Sequence, residues 1–482
     1  MRRAILLLVI ALVAANAFAG TGRILIINND RAGTGFNDPT PATPVGDNNG
    51  TTRGQQRMNV FLAAAQTWQS NLDTNVDIRV ASTFAPISGC TATEGILGQA
   101  SPIEWRHDTD GVPTANVWYP IALANKFANR DLAPGVDDIN VQFNADVDNA
   151  TCLGTTSWYY GLDGKHGTDV DLFVVVLHEL GHGFGIAGKG STPNFSENRP
   201  TISDVHTLDT TTGLRWDQMT TEQRGVSMLN NGALSWDGTN VRNESRRFLQ
   251  PRTSLLVQLP PLTVAFNYDI GLAAFGPAPD KTFTSGRIVI ATDAANEQGP
   301  TTTDGCSALT NASAVAGRIA LIDRGSPPAP AEPCTFVKKA RNAQAAGAIG
   351  VIIVDNVREN CSAPSMGGTA ADVTIPVISI TTNDGDALKA KINLGTTVEG
   401  SIFTDPSRLS GTTQQGYLRL YAPCAFEPGS SIHHWDTTAS PNLLMEPSVS
   451  SDLLHGLDLT IYQLLDLGWS QPPRSGRRIL KK

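Results

Sequence analysis

A chain of 482 residues is too long for one ordinary domain, and its length predicts two or three. The formal net charge of −9, with 17% charged residues, argues against nucleic acid or an anionic membrane as a partner. Six cysteines, none in a Cys-x-x-Cys pair, fit an oxidising compartment and argue against a thiolate zinc site.

Arg2 and Arg3 precede the apolar run Ala4 to Ala15, and Ala17-Phe18-Ala19 supplies small residues before a cleavage point. This reads as a secretory signal peptide, residues 1–19, cut after Ala19. The run is about 12 to 15 residues, short of the roughly 20 that cross a bilayer. No later segment is long and apolar enough to span, so the expected product is exported and soluble. Six cysteines allow three disulfides in any of about 15 connectivities, with Cys306–Cys334 the favoured pair because both fall in one proposed domain.

Arg23 to Asn28 predicts a first strand, followed by an Asn/Asp/Pro/Gly-rich loop to Gly50. Thr51 or Thr52 is placed to cap a helix reaching about Leu72, with Phe61, Ala65 and Trp68 at helical spacing. Val76 to Ala81 and Ile139 to Phe143 alternate as strands. These elements, with the helix that follows, predict a compact α+β arrangement.

That helix carries His178-Glu179-Leu-Gly-His182, preceded by the apolar run Leu172 to Leu177 and followed by Gly183-Phe-Gly185. Residues four apart lie one turn above each other on one helix face, so both histidines can bind one Zn²⁺. Glu179, beside them, can take a proton from water at the metal. A buried helix that merely happens to hold two histidines is the bland alternative. The apolar helix and the glycine-rich exit favour the zinc site.

A catalytic zinc needs three protein ligands and an open position. The compact continuation of the motif would put the third ligand at Gly188, which has no side chain. The remaining donors are Glu197, Asp204, His206, His433 and His434. Asp204 and His206 lie in a polar stretch expected at the surface, and Lys189 to Val264 yields no further reading. His107, His166, His206 and His455 lack a partner at ligand spacing and read as surface or structural.

From about Gly276 short apolar strands take over, at Arg287–Ala291, Arg318–Ile322, Gly350–Val354 and Ile375–Ile380, with a helix near Thr335–Ala346. Gly317-Arg-Ile-Ala-Leu-Ile-Asp-Arg-Gly325, Cys334-Thr-Phe-Val-Lys-Lys-Ala340, Gln344 to Val354 and Ile375-Pro-Val-Ile-Ser-Ile380 follow one another in the order of a protease-associated (PA) domain. Residues 276–403 therefore resemble that β-rich, non-catalytic module. The resemblance implies substrate contact or shielding of an active site.

Beyond it come Ser431-Ile-His433-His434-Trp435-Asp436, Pro441-Asn-Leu-Leu-Met445-Glu-Pro447, a helix over Asp458–Leu467, and a basic tail. With His178 to Gly185, these motifs resemble the leishmanolysin-like metallopeptidases, a metzincin branch. There an insertion separates the helix motif from a third histidine ahead of a Met-turn. The resemblance implies ligands His178, His182 and His434, Glu179 as general base, and Met445 beneath the metal. Adjacent residues of an extended segment face opposite sides, so only one of His433 and His434 should reach the ion. The offset to Met445 favours His434, while His433, Asp204 and Glu197 stay as alternatives.

The expected chain is thus a metzincin-like α+β catalytic domain in two parts, 20–275 and 404–470. A PA domain lies between them and a tail, 471–482, follows. It would be a secreted zinc endopeptidase acting on protein or peptide substrates, with no nucleic-acid partner and no membrane span. The alternative is a catalytically inactive secreted protein that uses the PA domain for partner recognition.

Overall fold

The computed structural model describes residues 20–472, apart from 263–264, 280–283, 296–298, 300, 326–333, 357–362 and 451–452. The expected signal peptide, Cys361 and the tail from Pro473 lie outside the described residues. The chain is mixed α+β. It divides into two compact units, one built from residues up to Gly185 with those from Leu467, the other from Ile186–Asp466. Among the described residues, no helix is long and apolar enough to cross a membrane.

The first unit is built on strands β1 (Ile24–Asn28), β2 (Ile78–Ala85), β3 (Gly98–Pro102) and β4 (Ile139–Asn144), ordered β1-β2-β4-β3. The first three strands in that order pair in parallel, and β3 closes the edge antiparallel to β4. Helix α1 (Arg53–Gln69) links the parallel pair β1 and β2, because a parallel connection needs a crossover. Thr52 caps it, its side chain accepting from the Gln55 amide. Val60, Phe61, Ala64, Ala65 and Trp68 form its buried face. A second helix, α2 (Ile121–Ala128), precedes β4. Sequence reading anticipated β1, α1, β2 and β4. It missed β3, whose Gly98-Gln-Ala-Ser-Pro102 lacks β-branched and aromatic residues.

Helix α3 (Leu172–Phe184) carries the His-Glu pair and is apolar all round its first two turns, as a fully buried helix must be. Asp171 caps its start by accepting from the Phe173 amide at 3.0 Å. Gly183 lets it press on the sheet, since a Cβ there would lie 2.4 Å from Ile139 Cγ2. Gly185, at φ +130°, ends it. Two indoles pin its backbone: Trp68 Nε1 donates to Leu177 O at 3.2 Å and Trp469 Nε1 to Phe184 O at 3.0 Å. The Cys90–Cys152 disulfide also belongs to this unit.

The second unit holds two sheets. The smaller runs Leu214–Arg215, Thr207–Asp209, Leu234–Trp236, Leu418–Arg419. The larger runs Ala265–Tyr268, Pro251–Gln258, Glu399–Leu409, Thr284–Ile290, Ile319–Asp323, Gly350–Val354, Val377–Ile380, Gly271–Leu272. Its four central strands, from Thr284–Ile290 to Val377–Ile380, pair in parallel. The helix Phe336–Ala345 is the crossover between two of them. This sheet starts at Pro251 and ends at Leu409, wider than the 276–403 span expected, because long antiparallel strands from both flanks extend it. Cys306 and Cys334 are bonded, as expected, and Cys424 is also in a disulfide.

Candidate metal centre

In the first unit, His178 and His182 lie one turn apart on α3, with their Nε2 atoms 3.1 Å from each other. Two nitrogens held about 2.0–2.1 Å from a tetrahedral zinc stand about 3.3 Å apart, so the pair has ligand separation. Glu179 is buried, and its carboxyl is pushed up to about 8 by burial alone. A nearby cation would reverse that shift. Two imidazoles at ligand distance beside a desolvated carboxyl fit a divalent ion with nitrogen preference.

Strand β3 shapes this corner. A Cβ on Gly98 would lie 3.0 Å from Glu179 Cγ and 3.2 Å from its Oε1. Glycine is what lets the edge strand pass over the acid. No sequence pattern marks Gly98, and only its place in β3 identifies it.

In the second unit, His434 is buried, and its Nδ1 donates to the Ser430 carbonyl at 2.7 Å. A carbonyl only accepts, so Nδ1 carries the proton and Nε2 the lone pair a metal requires. The backbone holds the ring from both sides. Tyr421 N donates to His434 O at 2.8 Å, and Trp435 N to Met445 O at 2.7 Å. Trp435 and Met445 are fully buried, and Trp435 meets Trp236 edge-on. Ile432, two residues ahead, sits at φ +81°. A β-branched residue there costs about 1–3 kcal/mol, and such strain concentrates at functional sites.

The turn bearing Met445 is tied down by a residue the sequence did not flag. Buried Asp458 accepts from Leu444 N at 2.6 Å and from Thr460 N and Oγ1 at 2.9 and 2.6 Å. One carboxylate thus holds the turn and caps the final helix, Leu459–Leu467. Asp458→Ala would orphan buried donors, each costing about 1–3 kcal/mol. A denaturant midpoint clearly below wild type is the expected result, and an unchanged one would deny the tether.

The alternative donors have their own neighbours within the second unit. His433 lies against Gly188, where a Cβ would stand 2.6 Å from its Nε2. Asp204 is buried rather than at the surface as expected, because its carboxylate closes a capping box with Thr201 N and Oγ1 at 2.7 and 2.8 Å. Glu197 is exposed, at φ +53°, and pairs with Arg199 at 3.7 Å. His206 rests on Trp236 beside Asp237, which suits the structural role expected of it.

Residues 284–388 match the family described as PA domain. The chain contains a PA domain. ER degradation-enhancing alpha-mannosidase-like protein 3 of Xenopus laevis is 40% identical over 91 residues, covering 17% of this chain and 9% of that protein. Signal peptide peptidase-like 5 of Arabidopsis thaliana is 37% identical over 106 residues, 22% of this chain and 18% of that one. The chain therefore spans less than a fifth of these relatives' length. Among solved structures, a zinc aminopeptidase from Bacillus subtilis aligns over 34% of this chain and 37% of its own, at 20% identity and a TM-score of 0.20. A peptidase M28 precursor from Shewanella amazonensis aligns over 32% and 34%, at 18% identity and a TM-score of 0.22. Likenesses this slight leave the site to be read from its own residues.

Proposed function

We propose that the protein is a secreted, metzincin-like zinc endopeptidase of the leishmanolysin-like kind, with a PA domain between its catalytic segments. His178, His182 and His434 hold the metal, Glu179 is the general base, and Met445 lies beneath the ion. The observation that carries this reading is the paired Nε2 atoms of α3 beside a buried glutamate. The lone-pair nitrogen of His434, set by its bond to Ser430, supplies a third donor of the same kind.

Zinc, when bound, supplies Lewis acidity towards the scissile carbonyl and lowers the pKa of water. The chain's own part is proton transfer and positioning. Glu179 takes the proton of the attacking water on one carboxylate oxygen and passes it to the departing amine. Gly98 leaves room for that carboxylate, and α3, fixed by two indoles, keeps both imidazoles in register with it.

The purified protein should cleave casein, lose that activity to a zinc chelator and regain it on adding zinc. Chelator-insensitive cleavage, or zinc binding with no cleavage, would contradict the proposal. The second outcome would favour an inactive binding protein. Gly98→Val tests the local geometry, because its Cβ would displace Glu179. Peptidase activity should fall by about tenfold to a hundredfold with zinc content unchanged, since small misplacements of a catalytic group cost that much. Wild-type rates would show that β3 does not position the acid.

A further inference from the structure

The segment that carries His434 begins with a turn from Glu427 to Ser431, closed by its own hydrogen bonds. Glu427 O accepts from Ser430 N at 3.1 Å and from Ser431 N at 2.9 Å. In the opposite direction Glu427 N donates to Ser431 Oγ at 3.0 Å. A serine hydroxyl can take the place of a carbonyl in such a local bond. Ser431 is buried, so solvent is a poor substitute for the acceptor if the hydroxyl is removed.

Ser430 lies inside this closed turn, and its carbonyl is the one that accepts from His434 Nδ1 at 2.7 Å. Between Ser431 and His434 the chain passes through Ile432 at φ +81°. A β-branched residue keeps that left-handed conformation only where its surroundings enforce it. Downstream the restraint is main-chain: Ile432 N donates to Tyr421 O at 2.7 Å, and Tyr421 N to His434 O at 2.8 Å. The Tyr421 phenol also donates to Glu427 Oε2 at 3.0 Å, tying the same residue to the start of the turn. Upstream, the Ser431 hydroxyl restrains the turn from within, one residue from the carbonyl that orients the imidazole.

We infer that Ser431 is a positioning residue for the metal. Its hydroxyl, by holding Glu427 N, keeps Ser430 O against His434 Nδ1 and so keeps the Nε2 lone pair of that ring presented to the ion. The inference rests on the reading of His434 as third ligand and names a residue through which that ligand is tuned. Groups that accept from the second nitrogen of a metal-bound histidine are worth about 10–100-fold in affinity. Ser431 acts one bond further out, so the lower end of that range is expected.

The test is the zinc dissociation constant of the full-length protein, measured by competition with chelators that span the range. Ser431→Ala should weaken zinc by about tenfold. Glu427→Gln keeps the main-chain N–H and an oxygen for the Tyr421 phenol, so it should bind zinc as wild type does. An equal loss in Glu427→Gln would assign the restraint to the Tyr421 bond and overturn the inference. A double variant separates positioning from general support of the fold. If Ser431 acts through His434, Ser431→Ala should weaken zinc no further in a His434→Ala background. The same tenfold loss in that background would mark a diffuse structural effect and overturn the inference. Wild-type affinity in Ser431→Ala, with reduced affinity in His434→Ala, would overturn it while leaving His434 a ligand. Unchanged affinity in His434→Ala would remove the ligand assignment itself, and this inference with it.

Discussion

Glu179→Ala should lower kcat/KM for casein by about 10²–10⁴-fold, the usual contribution of a positioned acid or base, while zinc content stays at the wild-type level. The two halves of this expectation have separate causes. Both α3 imidazoles are held by backbone contacts that do not involve Glu179: the Asp171 cap, the Trp68 and Trp469 bonds, and the Gly183 contact with β4. The metal should therefore stay. The proton path should not, because Glu179 is the buried carboxyl beside the histidine pair, where it can take a proton from water held at the metal. Glu179→Gln keeps the volume and removes the base, so it should be as inactive as the alanine variant. Full activity in either variant would assign the base to another residue. Loss of zinc in both would make Glu179 part of the metal's cage.

The second large effect separates two neighbours. His434→Ala should reduce bound zinc severely and abolish cleavage, whereas His433→Ala should keep zinc and most activity. The structure gives the two rings different neighbours. His434 donates from Nδ1 to Ser430, an arrangement that fixes its tautomer as second partners of metal-bound histidines do, and such partners are worth about 10–100-fold in metal affinity. His433 packs on Gly188. Loss of zinc in His433→Ala with retention in His434→Ala would exchange the roles.

Much of helix α3 could be read from sequence because its pattern is local. The i, i+4 histidines, the apolar run and the glycine exit all lie within α3, and helical periodicity puts them on known faces. The parallel strands β1, β2 and β4 were readable for the same reason, being short, apolar and alternating. What stayed hidden was set by tertiary contact. Gly98 looks like any loop glycine until β3 pairs with β4 and crosses Glu179. Asp458 resembles a simple helix cap, and its grip on Leu444 depends on two segments 14 residues apart folding together. Asp204 was misjudged as surface because polar composition does not reveal a capping box that buries its own carboxylate. The flanking strands of the large sheet were missed because Pro251–Gln258 and Glu399–Leu409 pair across a long intervening stretch of chain, a separation no local pattern reports.

The proposal depends most on which side chains surround the zinc. Diffraction from the zinc-loaded protein at the zinc absorption edge would reveal this by anomalous scattering. One peak touching the Nε2 atoms of His178, His182 and His434 is the predicted result. A peak with His434 remote and His433, Asp204, Glu197 or no protein group in the third place would contradict it.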